Sequence, residues 1–154
     1  MKDRIGTLSY NTETAKKIGE YSANYPASDF HYYKEALYKK RTGEYFLAGE
    51  GGPASKYAEE AEGGQMMQGS ARITPVSFDQ AKKWYEDYVL DSDYINREET
   101  EKIYHREFEP NINDSETVQT SFTLSVGAKR KLEKIATKQH ISQSQVVENL
   151  IKSE

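Results

Sequence analysis

Three observations predict an α+β fold: an N-terminal antiparallel sheet with two helices, followed by a small separate C-terminal unit. Residues 1–76 hold short apolar/polar alternations broken by glycine, the pattern of antiparallel strands. Residues 78–89 and 97–108 carry apolar side chains at helical spacing. The composition then changes across the turn-rich segment Glu-Pro-Asn-Ile-Asn-Asp-Ser at 109–115. All twelve tyrosines and the single tryptophan precede residue 105. Residues 1–114 hold 15 basic against 21 acidic side chains, net −6, whereas residues 115–154 hold 6 against 4, net +2. The organisation expected is therefore an acidic, Tyr-rich α+β interaction domain over 1–109, a linker over 110–116 and a second domain over 117–154.

Within the first domain, residues 5–10 (Ile-Gly-Thr-Leu-Ser-Tyr) read as a strand. Residues 12–21, with Ala15, Ile18 and Tyr21, read as either a short helix or a strand. Residues 32–39, the turn Arg41-Thr42-Gly43 and residues 44–49 predict a β-hairpin, with Tyr45 and Leu47 on one side and Phe46 and Ala48 on the other. The Gly-rich polar stretch 49–69 reads as a long loop, and 72–76 as a closing strand. Ser77 can cap a helix whose Phe78, Ala81, Trp84, Tyr85, Tyr88 and Val89 share a face. A second helix over about 97–108 carries Ile103, Tyr104 and Phe108.

The last forty residues are the most patterned. Val118, Thr120, Phe122 and Leu124 alternate with Gln119, Ser121 and Thr123, which predicts a strand over 118–124 with one buried face. Ser125 then caps a helix from Val126 with Ala128, Leu132, Ile135, Ala136 and Gln139 at helical spacing, while Lys129, Arg130, Lys131, Lys134 and Lys138 lie elsewhere on it. After a turn at His140-Ile141, Ser142-Gln143-Ser144-Gln145 forms a capping box, with Ile141 and Val146 placed as a hydrophobic staple. Val146, Val147, Leu150 and Ile151 stripe the final helix. One strand and two short helices are too few to bury a core alone, and a lone strand exposes both edges. Two copies pairing their strands antiparallel solve both problems, so a homodimer is the physical expectation, with Thr120, Phe122, Leu124, Leu132, Val147 and Leu150 at its interface.

The run Thr120-Ser-Phe-Thr-Leu-Ser125, Leu132-Glu-Lys-Ile-Ala136, His140-Ile-Ser-Gln-Ser144 and Leu150-Ile151 resembles the ribbon-helix-helix DNA-binding domain of small bacterial, phage and plasmid repressors. The likeness covers residues 118–153 without gaps. It implies a two-stranded ribbon that enters the major groove of double-stranded DNA. It also implies base reading by Gln119, Ser121 and Thr123, and a phosphate held by Ser142, Gln143 and Ser144 at a helix N-terminus. Lys129 and Lys131 are candidates for further phosphate contacts. Two departures stand out. The ribbon readers include no Arg or Lys, leaving Gln119 as the one able to pair bidentately with a base. His140 stands where the family often has glycine, at a turn that demands positive φ.

Gly49-Glu-Gly-Gly-Pro-Ala-Ser-Lys56 looks like a phosphate loop but lacks the Gly-Lys-Ser/Thr order leading into a helix. His31 with Glu35, and Glu101 with His105 and Glu109, have i, i+4 spacing, which on a helix gives solvated charge pairs more often than a metal site. With three histidines and no cysteine, neither a metal nor a cofactor is expected, and no catalytic constellation emerges. The stretch 86–116 holds 11 acidic against 3 basic residues. Asp91, Asp93, Glu98 and Glu101 there are candidate contacts for a basic protein partner. The segment from Leu37 to Tyr57 is loosely similar to small uncharacterised proteins carried by mobile elements of Gram-positive bacteria.

These readings converge on a cytoplasmic, non-enzymatic, homodimeric DNA-binding regulator of a phage or mobile element, a repressor or autoregulator, with an N-terminal protein-interaction domain and no membrane segment. The alternative is a host-defence inhibitor, such as an anti-CRISPR protein. In that reading the acidic domain blocks a nuclease while the C-terminal unit dimerises it.

Overall fold

The computed structural model describes residues 1–92, 96–109, 117 and 119–154. The chain divides into two compact units, Met1–Ile112 and Asn113–Glu154. The linker expected at 110–116 lies outside the described residues.

The first unit opens with a two-stranded antiparallel hairpin, β1 (Lys2–Ile5) and β2 (Leu8–Asn11). This corrects the single strand expected over 5–10. Ile5 and Leu8 face each other in register, and Gly6 between them takes φ 61°, a conformation that costs glycine nothing. The five remaining strands are β3 (Lys16–Ser22), β4 (Tyr33–Lys39), β5 (Tyr45–Gly51), β6 (Ala58–Glu60) and β7 (Met67–Val76). They form an antiparallel sheet in the order β3-β4-β5-β7-β6. The N-terminal β structure is thus two sheets rather than the one expected. The segment left open between helix and strand is β3. The β4–β5 hairpin stands where the alternation put it, with Gly43 at φ 100° in its turn. The long loop expected over 49–69 is a correction too: β5 runs on to Gly51, β7 starts at Met67, and β6 pairs along it from Ala58 opposite Gly69.

The two faces of the sheet bury different residues. Phe46, Ile73 and Tyr10 cluster on one side, with Tyr10 edge-on to Phe46 at 5.4 Å. The other side packs Ile18, Leu37 and Tyr45 against helices α1 (Phe78–Tyr85) and α2 (Arg97–Phe108). Helix α1 begins in a full capping box. Gln80 N–H donates to Ser77 Oγ at 3.2 Å, and Ser77 N–H donates to Gln80 Oε1 at 2.8 Å. It continues into a single π-helical turn, Glu86–Leu90. Ala81, Trp84, Tyr85 and Val89 are buried on its inner face, while Phe78 stays half in solvent, edge-on to Tyr45 and Phe108. Gly19 lies at a bulge in β3, where a Cβ would come within 2.8 Å of the Tyr85 ring.

Glu107 fastens α2 to the sheet. Its side chain is 6% exposed and pairs with Lys16 of β3 at 2.6 Å, Lys39 of β4 at 3.2 Å and Arg106 at 3.2 Å. Burial by itself would raise this carboxyl's pKa; hydrogen bonds from the three cations overcome it and hold the pKa at about 2, against an ordinary 4.5. A depressed folded-state pKa gives stability that is present above the unfolded pKa and lost as pH falls from about 4.5 towards 2. Acid titration of the melting transition is therefore expected to show a loss approaching 3 kcal/mol, at most about that size, across this window. The Glu107→Gln variant, less stable at neutral pH, is expected to lose most of that acid dependence; an unchanged acid limb would contradict the assignment.

Candidate nucleic-acid interface

Helix α3 (Val126–Gln139) is capped by Ser125, whose Oγ accepts the Ala128 N–H at 3.2 Å. It ends at His140 in the left-handed region, φ 56° and ψ 38°, and the Ile141 N–H reaches back to the Ala136 carbonyl at 3.2 Å. This closure by a residue in αL satisfies carbonyls the helix end would otherwise orphan. Histidine thus adopts the backbone state glycine would take. Helix α4 (Gln143–Lys152) is capped by Ser142, whose Oγ accepts the Gln145 N–H at 3.1 Å. The box is half made, which corrects the reciprocal arrangement expected: the Gln145 amide donates to Asn149 Oδ1 at 2.8 Å, one turn along the helix.

The strand expected over 118–124 is absent from the described part of that segment. Residues 119–125 form no strand in this single chain, and position 118 lies outside the described residues. A strand exists only with a partner to hydrogen-bond, and one copy of this unit supplies none. The segment instead borders a groove of about 900 Å³ with α3 and α4. The groove brings together Gln119, Ser121, Thr120, Phe122 and Leu124 with Lys129, Leu132, Gln143, Ser144 and Val147. Expected readers and expected interface residues therefore share one opening, without the two-faced separation a paired ribbon would impose. Thr123 and Leu150 are exposed and do not line it. Ser142 lines a separate shallow hollow of about 450 Å³ with Glu133 and His140.

The cations differ in their engagement. Lys129 donates to the Gln143 side chain and lies 3.8 Å from Glu133, so its charge is partly committed within the unit. Lys131 is exposed. The apolar side chains are mostly outside. Only Ala136 and Val146 are buried among the unit's described hydrophobics, while Phe122 is 60% and Ile151 69% exposed, with Leu124, Val126 and Leu150 also in solvent.

In the first unit, Asp91 and Glu98 are exposed and Glu101 is half-buried; Asp93 lies outside the described residues. Glu98 pairs with Lys102 at 2.6 Å and Glu101 with Arg97 at 2.9 Å, each one turn along α2, so this surface is less negative than its acid count suggests. His31 and Glu35 share no helix: His31 sits in a turn against Asp29 at 3.0 Å, and Glu35 belongs to β4. Lys56, in the loop that resembles a phosphate loop, turns its ammonium to Glu35 at 2.8 Å. The sequence pairs Glu35 with His31; its burial and its aromatic surroundings are not legible there. The signal available was an acid at an inward position of the alternation Tyr33, Glu35, Leu37. Among the described residues no helix is long and apolar enough to cross a membrane. No family model, curated protein or solved structure matches this chain.

Proposed function

We propose that the C-terminal unit pairs two chains through residues 118–124 and binds double-stranded DNA, making the protein a homodimeric repressor or autoregulator of a phage or mobile element. The observation that carries the reading is the unit's inverted burial: five large apolar side chains exposed against two buried hydrophobic residues. An apolar surface of this kind marks an interface. The DNA half of the reading is supported by the net +2 of residues 115–154, the serine-capped N-terminus of α4 and the amide side chain of Gln119. Pairing would withdraw residues 119–124 from the groove and set Gln119, Ser121 and Thr123 on the outer face of the ribbon.

Selection from random duplexes followed by gel shift with the intact chain tests this. Gln119→Ala is expected to cost about 1–3 kcal/mol at the preferred site and little elsewhere. Lys131→Ala is expected to weaken all sequences alike and lower the salt slope by about one. A folded dimer that binds no DNA at low salt would reduce the unit to dimerisation.

The acidic stretch 86–116 supports a second reading, a defence inhibitor whose first unit blocks a nuclease. Under it, Asp91→Lys combined with Asp93→Lys and Glu98→Lys should slow association with the basic partner and abolish protection of phage DNA, with DNA binding by the C-terminal unit intact. Protection that is absent, or unchanged by the reversal, would overturn it.

A further inference from the structure

Glu35 is the one carboxylate-bearing residue buried outright among those described, and its side chain is only 3% exposed. An isolated charge at such depth is costly, and this one is fully engaged. Tyr57 Oη donates to Oε1 at 2.5 Å, Trp84 Nε1 donates to Oε2 at 3.0 Å, and the Lys56 ammonium lies 2.8 Å from Oε2. The first two donors come from buried residues. The hydroxyl end of Tyr57 lies against Gly49, where any Cβ would overlap it, and Trp84 belongs to α1. The carboxylate and these two donors are thus set by the packing around them.

The ammonium is held by more than the carboxylate. It stands 4.6 Å from the ring centre of Tyr33, 5.4 Å from that of Tyr88 and 6.0 Å from that of Tyr57. All three are within the range where a ring face attracts a cation. The rings brace one another: Tyr33 is 6.3 Å from Tyr57, Tyr21 is 6.0 Å from Tyr33 and 4.8 Å from Tyr88, and Trp84 is 5.7 Å from Tyr88. Tyr88 is delivered by the π-helical turn, a local departure often found at functional sites. Aromatic walls around a buried carboxylate are how proteins recognise an alkylammonium group. Lys56 arrives on a tight turn outside the sheet, closed by the Ala58 N–H on the Ser55 carbonyl at 3.0 Å, and its side chain is 41% exposed. The cage is open to solvent where its occupant enters.

We propose that Glu35, Tyr33, Tyr57 and Tyr88 form a recognition site for a lysine side chain of another protein, occupied in the free chain by Lys56, which the incoming lysine displaces. The resident lysine shows that the cage accepts a four-carbon stem ending in a primary ammonium. It also competes from within the same chain, so a guest works against an effective concentration of the order of millimolar. Neighbouring contacts from the partner must supply the remainder.

The test uses the intact chain, n-butylammonium and acetyl-lysine methylamide as guests, and the fluorescence of Trp84, the only tryptophan. Lys56→Ala is expected to bind both guests saturably, at least tenfold more tightly than the native chain does. The double variant Glu35→Gln with Lys56→Ala is expected to lose that response. In the native chain, guest binding should move the Lys56 ε-methylene proton signals from their ring-shifted position towards that of a free lysine, a readout that does not depend on the variants folding. Saturable binding of butylammonium without the lysine derivative would assign the cage to free amines and overturn the protein-lysine assignment. No Lys56 shift at saturating guest, or equal binding with and without Glu35, would overturn the site.

Discussion

Phe122→Pro is expected to convert a dimer into monomers and to abolish DNA binding with it. In the single chain residue 122 lies in a segment without ladder bonds, its ring 60% exposed, so proline there breaks no structure that one copy possesses. A surface change of that kind ordinarily falls within about 0.5 kcal/mol. In a paired ribbon the same residue sits inside a two-stranded ladder, where proline removes a donor and the ring that fills the interface disappears with it. Removing an aromatic side chain from a packed interface costs about 3–5 kcal/mol, more than about a hundredfold in the pairing equilibrium. Helices α3 and α4 should keep their circular-dichroism signal, because their serine caps do not involve Phe122. A variant that sediments as an intact dimer would show that the chains pair elsewhere or through other residues.

Tyr85→Ala is expected to cost the first unit about 3–5 kcal/mol, a large share of the stability of a domain this size. Tyr85, the last residue of α1, is fully buried with its ring against Gly19 of β3 and 5.5 Å from Phe108, and its hydroxyl donates to the Thr100 carbonyl at 3.1 Å. Gly19 has no side chain to move into the space, so the cavity would stay open. Tyr85→Phe removes the hydroxyl alone and should cost about 0.5–1.5 kcal/mol, the net worth of one hydrogen bond to a carbonyl inside α2. Urea melts of the two variants separate packing from hydrogen bonding. Equal losses in both would mean that the ring contributes little, contrary to its position in the core.

Elements whose signal is local were readable from sequence. The β4–β5 hairpin announces itself through alternation on both sides of Gly43, and α1, α3 and α4 through Ser77, Ser125 and Ser142 ahead of an apolar stripe. The left-handed turn at His140 was implied only by the ribbon-helix-helix resemblance, which places glycine there. The failures were equally physical. Residues 5–10 pass for one strand because Ile5, Leu8 and Tyr10 crowd together, but Ile5 and Leu8 have opposite parity and face each other only because the chain reverses at Gly6. Strand β6 is three largely polar residues on an edge, with no buried face to write a pattern. The strand expected at 118–124 rests on parity alone, and its described residues, 119–124, form no strand in the single chain. The Glu35 cluster joins residues 22 and 49 positions apart, and no window of sequence spans them.

Sedimentation equilibrium of the intact chain is the most direct measurement of the central claim. Phe122, Leu124, Leu150 and Ile151 are exposed in the single chain, and the partner proposed for them is a second copy joined through the segment at 118–124. The expected result is a species of twice the 17.6 kDa chain mass, stable well above micromolar concentration and shifted to a single chain by Phe122→Pro. A native chain that remains at 17.6 kDa under those conditions would contradict it.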